Sequence, residues 1–389
     1  MAQIAMVLFV LGHYHSPTLA GLTAFLAIFP GLLVAPLAGA LLDRHGRIRL
    51  VTADFIIIAA ACLALIGLLG LIDRLPAWLL LAIVGLSSLT APLSSTGLRT
   101  LYPLMVPSRL WERANAIDSN GYIVASIFGP ALAGVVVGLA GGPVALIGTA
   151  LFFGAAALVI MGVPEPAAET HSSGSLLRDA WQGLVHVVVD NRSLRGLAAV
   201  LSLANLSNGI LNIALPVLVL QRLHQGPGIV GLLYTAMGVT AFVTVLLVGR
   251  INSDGRERMM LVVSLLGSAV ALALLPFATS IWVVFLSLAL LGIAVAPFDI
   301  ALFTLRQRRT HVTWIGRAFA VSMALNFAGQ PFGSALAGPL INYSLTIALL
   351  AAVAITLVAT PLPLWLIPAT AAPLEAANSG QHQEAADNL

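Results

Sequence analysis

Long stretches without charge, separated by short arginine clusters, most constrain what this chain can fold into. Residues 17–42 contain no charged side chain, and the turn from Asp43 to Arg49 that follows carries four charges. A second apolar stretch, 50–72, comes directly after this turn. A helix needs roughly 20 apolar residues to cross a bilayer, so both stretches are long enough, and the charged turn is expected at a membrane face.

The apolar stretches continue along the whole chain. Hydrophobic residues make up 59% of 389 residues, against roughly 45–50% in soluble domains. The stretches are continuous rather than alternating, so helices rather than barrel strands satisfy the backbone in lipid. We predict an all-α polytopic membrane protein with twelve spans in the bilayer, over residues 1–11, 17–42, 48–72, 76–97, 116–139, 143–163, 197–220, 228–248, 259–278, 281–303, 318–341 and 345–367.

The distribution of arginine predicts the orientation. All 18 basic residues are arginines, and the net charge is +3. If the Asp43–Arg49 turn is cytoplasmic, only Arg74 and Arg222 fall outside, which is the asymmetry of the positive-inside rule. The positive charge therefore does not indicate nucleic-acid binding. We expect the bacterial cytoplasmic membrane, with the central linker and the C-terminus on the cytoplasmic side.

Internal repetition predicts two halves. The segments 113–116 and 128–134 recur as 317–320 and 332–338, displaced by 204 positions, and the charged turn recurs at 255–258, displaced by 209. This pattern predicts two parallel six-helix repeats, residues 1–163 and 196–368, related by an axis along the membrane normal. Projection of the seventh helix back by 209 places the start of the first upstream of Met1. We therefore expect a first helix truncated at its N-terminus.

Two polar segments fall outside the halves. Residues 164–195 form the predicted linker, whose second part is expected to be an amphipathic helix on the membrane surface, because its apolar residues share one face; these are Leu176, Leu177, Ala180, Leu184 and Val187. An ordinary polar linker helix is the alternative. The tail 369–389 has nothing to bury and is expected to be disordered.

The charged turn carries a family resemblance. Gly39-x-Leu41-x-Asp43-Arg44-x-Gly46-Arg47-x-Arg49 resembles the signature of the major facilitator superfamily between its second and third helices. Residues 121–134 are similar to the fifth-helix signature of its antiporters, with alanine for glycine at two positions, and 106–116 resembles the subgroup that contains bacterial drug and siderophore exporters. The predicted fourth helix lacks the buried arginine of many drug and proton antiporters, which weakens that assignment.

The resemblance implies a secondary active transporter that works by alternating access. We expect proton-coupled export of a small amphipathic molecule, such as a drug, siderophore or metabolite, by a monomer without a cofactor or metal. An importer or uniporter of a small nutrient is the alternative. An integral membrane enzyme or receptor is more distant, because the nearest approach to a reactive cluster is His186-x3-Asp190 in the linker.

The charged turn is also the first candidate site. By family resemblance, Asp43 at the end of the second helix interacts with the start of the eleventh, near Arg317, only when the cytoplasmic side is closed. We hypothesise a conformational latch formed by Gly39, Asp43, Arg44, Gly46, Arg47 and Arg317. The alternative is a solvated turn that is needed only for topology.

Carboxylates inside the spans are candidates for proton coupling. They are Asp299, Asp54 and Asp118. Asp299 follows Pro297 in the tenth helix, which lines the cavity in the family; an ion pair with Arg306 or Arg309 is the alternative. For Asp54 and Asp118, which lie nearer loop arginines, a structural role is preferred.

Polar and small residues complete the predicted site. Asn205, Asn208 and Asn212 share one face of the seventh helix, and Asn326 and Gln330 lie on the eleventh. They are expected either to bind substrate in the cavity or to hydrogen-bond between helices. A helix-packing hinge is expected at Gly129, Pro130, Gly134, Gly333 and Gly338, although close packing alone also explains these residues.

Overall fold

The fold is helical throughout the part of the chain that the structure describes. The computed structural model describes residues 1–105, 107, 110–164, 185, 189, 191–248, 255–309 and 325–369. In these ranges nine helical segments are long and apolar enough to cross a membrane, namely Pro17–Ala35, Arg47–Leu71, Ala77–Ser95, Gly142–Met161, Arg192–Arg222, Pro227–Val248, Glu257–Phe277, Ile281–Arg306 and Leu345–Leu366. The predicted all-α membrane class is confirmed.

The other three predicted spans also fall on helices. The first lies on the 13-residue helix Ala2–Tyr14. The fifth lies on the apolar part, Val124–Ala140, of the 30-residue helix Trp111–Ala140. The eleventh lies on the 15-residue helix Gly329–Tyr343, and the start of the predicted span falls outside the described residues.

The helices before the predicted linker are α1 (Ala2–Tyr14), α2 (Pro17–Leu26), α3 (Phe29–His45), α4 (Arg47–Ile57), α5 (Leu65–Leu71), α6 (Ala77–Ser88), α7 (Ala91–Met105), α8 (Trp111–Ala140) and α9 (Gly142–Met161). A π-helical segment, Ile58–Ala64, joins α4 to α5. Apart from residues 185, 189 and 191–195, the part of the linker predicted as an amphipathic helix lies outside the described residues, as does the predicted disordered tail beyond residue 369.

The helices after the linker are α10 (Arg192–Val217), α11 (Pro227–Val248), α12 (Glu257–Ala273), α13 (Ile281–Arg308), α14 (Gly329–Tyr343), α15 (Leu345–Ala359) and α16 (Leu362–Leu366). A π-helical segment, Leu218–Arg222, extends α10, and a 3-10 turn, Leu275–Phe277, follows α12.

Local sequence signals set several helix ends. The Ser16 hydroxyl accepts a hydrogen bond from the Leu19 N–H at 3.2 Å, and the Asn191 side chain accepts one from the Leu194 N–H at 3.0 Å. Both residues therefore cap the first turn of the helix that follows. Gly46 ends α3 with a φ of 90°, a left-handed conformation that favours glycine.

Backbone conformation supports the internal repeat. His15, after α1, and His224, after the helical segment that ends at Arg222, have φ angles of 52° and 51°. Gly46 and Gly255, in the two copies of the charged turn, have φ angles of 90° and 70°. Both pairs are separated by the predicted 209 positions. Corresponding turns of the two halves therefore share left-handed backbone positions.

The predicted fourth span is broken in its middle. It consists of α6 and α7, separated at Leu89 and Thr90. Here the Thr90 N–H donates to the Ser87 carbonyl at 3.3 Å and the Leu93 N–H donates to the Thr90 carbonyl at 2.8 Å, both across three residues. Pro92 has no N–H to continue the α-helical ladder. A second helix start, rich in hydroxyl groups, therefore lies inside the span.

Each half packs internally, and two helix pairs make the most extensive contacts between the halves. In the first half α4 contacts α7 and α9; in the second, α10 contacts α14 and α15, and α12 contacts α13. Between the halves, α2 packs against α14 and α8 packs against α11. The main buried apolar cluster includes residues of both halves, among them Phe9, Leu146, Ile210 and Val230.

Candidate functional site

The two halves are in close contact at one end of the bundle. We call the end that contains the turn Asp43–Arg49 the charged end, and the end that contains the α1–α2 turn the opposite end. At the opposite end, a methyl group on Gly338 of α14 would overlap the backbone of Thr18 in α2. A Cβ atom on Gly134 of α8 would lie 2.9 Å from the Cα atom of Gly231 in α11. Two of the predicted hinge glycines thus lie where the halves touch.

Polar and aromatic groups add to these contacts. The Asn342 side-chain amide of α14 donates to the Thr18 hydroxyl at 2.9 Å. The Thr235 hydroxyl of α11 donates to the Ile127 carbonyl of α8 at 3.1 Å. The Phe332 ring lies edge-on to Phe25 and Phe29, with centroid distances of 5.7 and 5.3 Å. The sequence analysis missed these residues because isolated polar or aromatic residues in spans give no local signal.

The other predicted hinge residues lie at further close contacts. Gly333 packs against the Leu206 backbone of α10, within the second half. A Cβ atom on Gly231 of α11 would lie 2.5 Å from the carbonyl oxygen of Pro130 in α8. A Cβ atom on Gly129 would lie 2.9 Å from the Met1 nitrogen. All five predicted residues are therefore at positions where two backbones come close.

The predicted asparagine face of α10 divides into three environments. Asn205 donates to the Asn326 carbonyl at 2.9 Å, which links α10 to the segment before α14. Asn212 accepts a hydrogen bond from the Tyr234 hydroxyl of α11 at 3.5 Å. Asn208, between them, is exposed. Asn205 and Asn212 thus bond between helices, whereas the Asn208 side chain remains open to a ligand.

The eleventh predicted span packs tightly on the seventh. Asn326 is 1% exposed, and Gln330 is half-buried. A Cβ atom on Gly209 of α10 would overlap the Gln330 carbonyl. The Ser334 hydroxyl donates to the Gly209 carbonyl at 3.2 Å. Asn326 therefore belongs to the packed α10–α14 contact rather than to an open surface.

The hydroxyl groups of α6 and α7 bond mainly to their own backbone. Ser87 donates to the Val84 carbonyl at 3.0 Å, Ser88 to Gly85 at 2.8 Å and Ser94 to Ala91 at 3.1 Å. Such local bonds are common for serine and threonine in membrane helices. They leave these residues little free hydrogen-bonding capacity for a substrate.

The three candidate carboxylates differ in surroundings. Asp299 of α13 is exposed and forms no ion pair with Arg306 or Arg309, which are themselves described. Arg306 is 1% exposed and lies 5.8 Å from the centre of the Phe303 ring. Asp54 of α4 is fully buried, and Asp118 lies in α8 with a side chain outside the described residues. Of the three candidates, Asp299 is therefore the one whose described side chain is exposed.

The predicted latch is only partly described. Gly39, Asp43 and Arg44 lie in α3, but their side chains are outside the described part of the structure. Gly46 separates α3 from α4, and Arg47, the first residue of α4, is half-buried. Arg317 lies in the segment 310–324, outside the described residues. The latch remains a prediction.

Arginines at the charged end hold the last described segment. Arg258 of α12 donates to the carbonyls of Pro363, at 3.3 Å, and Leu364. Arg309 donates to the carbonyls of Pro368 and Ala369 at 3.4 and 3.3 Å. Burial lowers the pKa of Arg309, and the nearby Glu257 opposes this shift. Sequence analysis assigned Arg258 only to the repeated turn.

Two features of the described residues concern the binding of ligands. No group of three or more His, Cys, Asp or Glu residues there could hold a metal ion. A cavity of about 270 Å³ lies inside the first half, between α1, α2, α6 and the segment around Cys62. Its lining is apolar apart from a few hydroxyl, thiol and amide groups.

Comparison with known proteins places this geometry in a family. The sequence model of the Major Facilitator Superfamily matches residues 1–204 and again residues 197–386. The chain is 36% identical over 378 residues to the uncharacterized MFS-type transporter y4rN of Sinorhizobium fredii, covering 96% of this chain and 92% of that protein. It is 28% identical over 341 residues to the enterobactin exporter EntS of Citrobacter koseri, covering 84% and 77%.

A solved structure shows the same fold. The nucleoside transporter NupG matches with a TM-score of 0.71 at 14% sequence identity, covering 94% of this chain and 98% of that one. At this identity the match concerns the arrangement of helices alone.

Proposed function

Because this chain belongs to the major facilitator superfamily, we propose that it is a secondary active transporter that exports a small amphipathic molecule by alternating access. Members of this family are transporters, which sets aside the enzyme and receptor alternatives. The observation that carries the proposal is the close contact of the two halves at the opposite end, through α2–α14 and α8–α11. Alternating access requires such contacts to form at one end and separate at the other.

The proposed direction of transport rests on the relatives of this chain and on its fifth-helix motif. The enterobactin exporter of Citrobacter koseri shares 28% of its residues with this chain over 341 positions. The fifth-helix motif around Gly134 supports the same direction. We propose a siderophore, a drug or a related metabolite as cargo, because a cavity between apolar helices suits a largely apolar molecule with a few polar groups.

The proposed coupling ion is the proton, and the proposed coupling residue is Asp299. Its carboxylate is exposed on α13, two positions after Pro297, and has no ion-pair partner among the described residues. A carboxylate of this kind can be protonated from one side and deprotonated from the other as access switches. Asn208, exposed on α10, is the proposed polar contact with the cargo.

We place the charged end on the cytoplasmic side of the bacterial inner membrane, following the arginine asymmetry. In this orientation the contact between α2 and α14 closes the outer side. The proposed latch between Asp43 and Arg317 would then form only in the alternate state, when the cytoplasmic side closes. A monomer is sufficient, since both halves of the pathway belong to one chain.

Transport by the purified protein in proteoliposomes tests the proposal. Enterobactin and a fluorescent lipophilic drug serve as probes, and a pH gradient of either sign is imposed. Export coupled to protons predicts that cargo moves against the direction of proton entry. The Asp299→Asn variant should transport without dependence on the pH gradient, whereas Asp299→Glu should retain part of this dependence.

Other outcomes favour the alternatives. Cargo that moves in the same direction as protons would indicate import, and cargo that moves equally under either gradient would indicate a uniporter. An Asp299→Asn variant with the normal pH profile would remove Asp299 from coupling while leaving transport itself established.

A further inference from the structure

A fully buried carboxylate lies in the first half, away from Asp299. Asp54 of α4 is 0% exposed, and neither of its oxygens accepts a hydrogen bond from any described residue. It forms no ion pair in the described part of the chain. Carboxylates in membrane helices normally pair with a cation or a hydrogen-bond donor. Among the described residues, Asp54 is thus an exception to this pattern.

The groups around Asp54 come from the break between α6 and α7. The hydroxyls of Thr90 and Ser94 and the backbone amide of Ser94 lie beside its carboxylate and favour its charged form, although none of them forms a hydrogen bond with it. Both hydroxyls, however, donate to carbonyls of their own helix, Thr90 to Ser87 at 2.9 Å and Ser94 to Ala91 at 3.1 Å. Because of these bonds to their own helix, neither side chain supplies a hydrogen bond to the carboxylate. The Thr52 hydroxyl, also on α4, is buried without a hydrogen bond among the described residues.

Among the described residues, no charged group on the neighbouring elements forms an ion pair with it. On α4 itself the nearest arginines in sequence are Arg47, two helical turns before Asp54, and Arg49, more than one turn before it. His45 ends α3 and is exposed, and α9 contains no ionisable residue. The remaining ionisable residues of α3 and α7 are Asp43, Arg44, Arg99 and Tyr102, whose side chains lie outside the described part of the structure.

A cavity reaches the same helix contact. The cavity of about 270 Å³ is lined by Ile58, one turn from Asp54 on the same helix face, and by Ser87, Ser88 and Ala91 at the break. Cys62 and Ser87 also line it and interact with each other across the contact. The cavity therefore follows the contact between the π-helical segment Ile58–Ala64 and α6, and its nearest lining residue on the Asp54 face lies one helical turn from that carboxylate.

We propose that Asp54 is a proton-binding site in the first half, distinct from Asp299. A hydronium ion that reaches Asp54 transfers its proton to a carboxylate oxygen and leaves as water, which produces a neutral carboxylic acid. The neutral form removes the buried charge and adds an O–H donor to a site that lacks one.

This site extends the proposed function. Its role in coupling rests on proton-driven transport, whereas proton binding to Asp54 does not depend on transport. Binding is therefore measured without transport. The full chain, purified in lipid nanodiscs, is treated with dicyclohexylcarbodiimide, which modifies protonated carboxyl groups in apolar surroundings, and the modified peptides are identified by mass spectrometry. We expect labelling of Asp54 at neutral pH that falls as the pH is raised.

Matched variants separate the site from general packing. Thr90→Val and Ser94→Ala remove hydroxyls that stabilise the ionised form, so labelling of Asp54 should persist to higher pH. Thr244→Val serves as the control, because Thr244 lies in the second half and likewise donates to its own helix, to Thr240 at 2.8 Å. It should leave the labelling curve unchanged. A Thr90 or Ser94 variant that behaves like this control would contradict the assigned surroundings.

A second measurement does not depend on access of the carbodiimide to Asp54. Infrared difference spectra of the wild-type protein between low and high pH should contain the carbonyl band of a buried carboxylic acid, and Asp54→Asn should lose it. Absence of both labelling and this band would overturn the proposal. So would loss of labelling on addition of sodium chloride but not choline chloride at fixed pH, because the site would then bind a metal cation.

Transport data then distinguish the two proposals. A protonated Asp54 in a protein whose transport ignores the pH gradient would refute proton coupling and leave the site standing. Gradient-driven transport by a protein with an ionised Asp54 would refute the site and leave the function standing.

Discussion

Asn342 and Thr18, 324 positions apart in the chain, are joined by a 2.9 Å hydrogen bond between their side chains. The bond links the end of α14 to the start of α2 and therefore joins the second half to the first. Gly338, one turn earlier on α14, lets the two backbones come into contact beside it. This contact is a natural place to test whether the opposite end must open during transport.

A disulfide across this contact should stop transport. Thr18→Cys and Asn342→Cys are combined in a Cys62→Ser background, since Cys62 is the sole cysteine of the chain. Oxidation should cross-link the halves and abolish transport, and a reductant should restore it. The readout is transport in proteoliposomes alongside the cross-linked fraction on gels. Each single-cysteine variant is the control; full transport by fully cross-linked protein would show that this end need not open.

Gly134→Ala should disturb the contact between α8 and α11. The added methyl carbon would lie 2.9 Å from the Cα atom of Gly231 and 2.8 Å from the Pro227 carbonyl, so the helices must separate. Overpacking of this kind costs about 1–3 kcal/mol. The temperature of thermal unfolding in detergent and the transport rate should both fall. Gly148→Ala is the matched control, because nothing lies within 4 Å of its Cβ position; equal effects of the two variants would contradict the interpretation.

The asparagines of α10 should separate into structural and functional residues. Asn205→Ala removes the bond to the Asn326 carbonyl and should lower the free energy of unfolding by about 1 kcal/mol. Asn208→Ala removes an exposed side chain and should leave stability unchanged while it raises the KM for cargo. Unfolding curves and transport kinetics of the two variants check this. A stability loss for Asn208→Ala larger than for Asn205→Ala would reverse the assignment.

Asp43→Asn should leave the protein folded and largely abolish transport. The amide keeps the size of the side chain but loses the charge that the proposed latch with the start of the eleventh helix requires. Accessibility of a single cysteine near the charged end, measured with a membrane-impermeant maleimide, should increase. Arg49→Gln, a change of an exposed charge in the same turn, is the control. Normal transport and unchanged accessibility in Asp43→Asn would leave the turn with a topological role only.

The extent of the spans followed from the sequence. The starts of the third and eighth predicted spans, at 48 and 228, lie one residue from the observed starts of α4 and α11. The seventh span was placed too late, because α10 starts at Arg192, where Asn191 caps it. Its first turns contain arginines and serine, which a search for apolar residues excludes. The break at Leu89 and Thr90 was also missed, although Pro92 gave a local signal.

The candidate site could be predicted only in part. The sequence identified polar residues within spans, since each one is an exception to local apolarity. It left open whether Asn205 and Asn208 bind cargo or another helix, and whether Asp299 pairs with an arginine. Those alternatives depend on which helix faces which, and that is settled by packing between residues more than a hundred positions apart.

The sequence by itself determined that this chain is a membrane protein of paired six-helix repeats in the major facilitator superfamily. It could do so because lipid requires every span to be apolar and internally hydrogen-bonded, and both properties are local. Only the tertiary structure decided that Thr18 meets Asn342, that Asn205 bonds to Asn326, and that Asp54 is buried without a hydrogen bond among the described residues. These facts depend on the approach of distant helices, which small residues permit but do not specify.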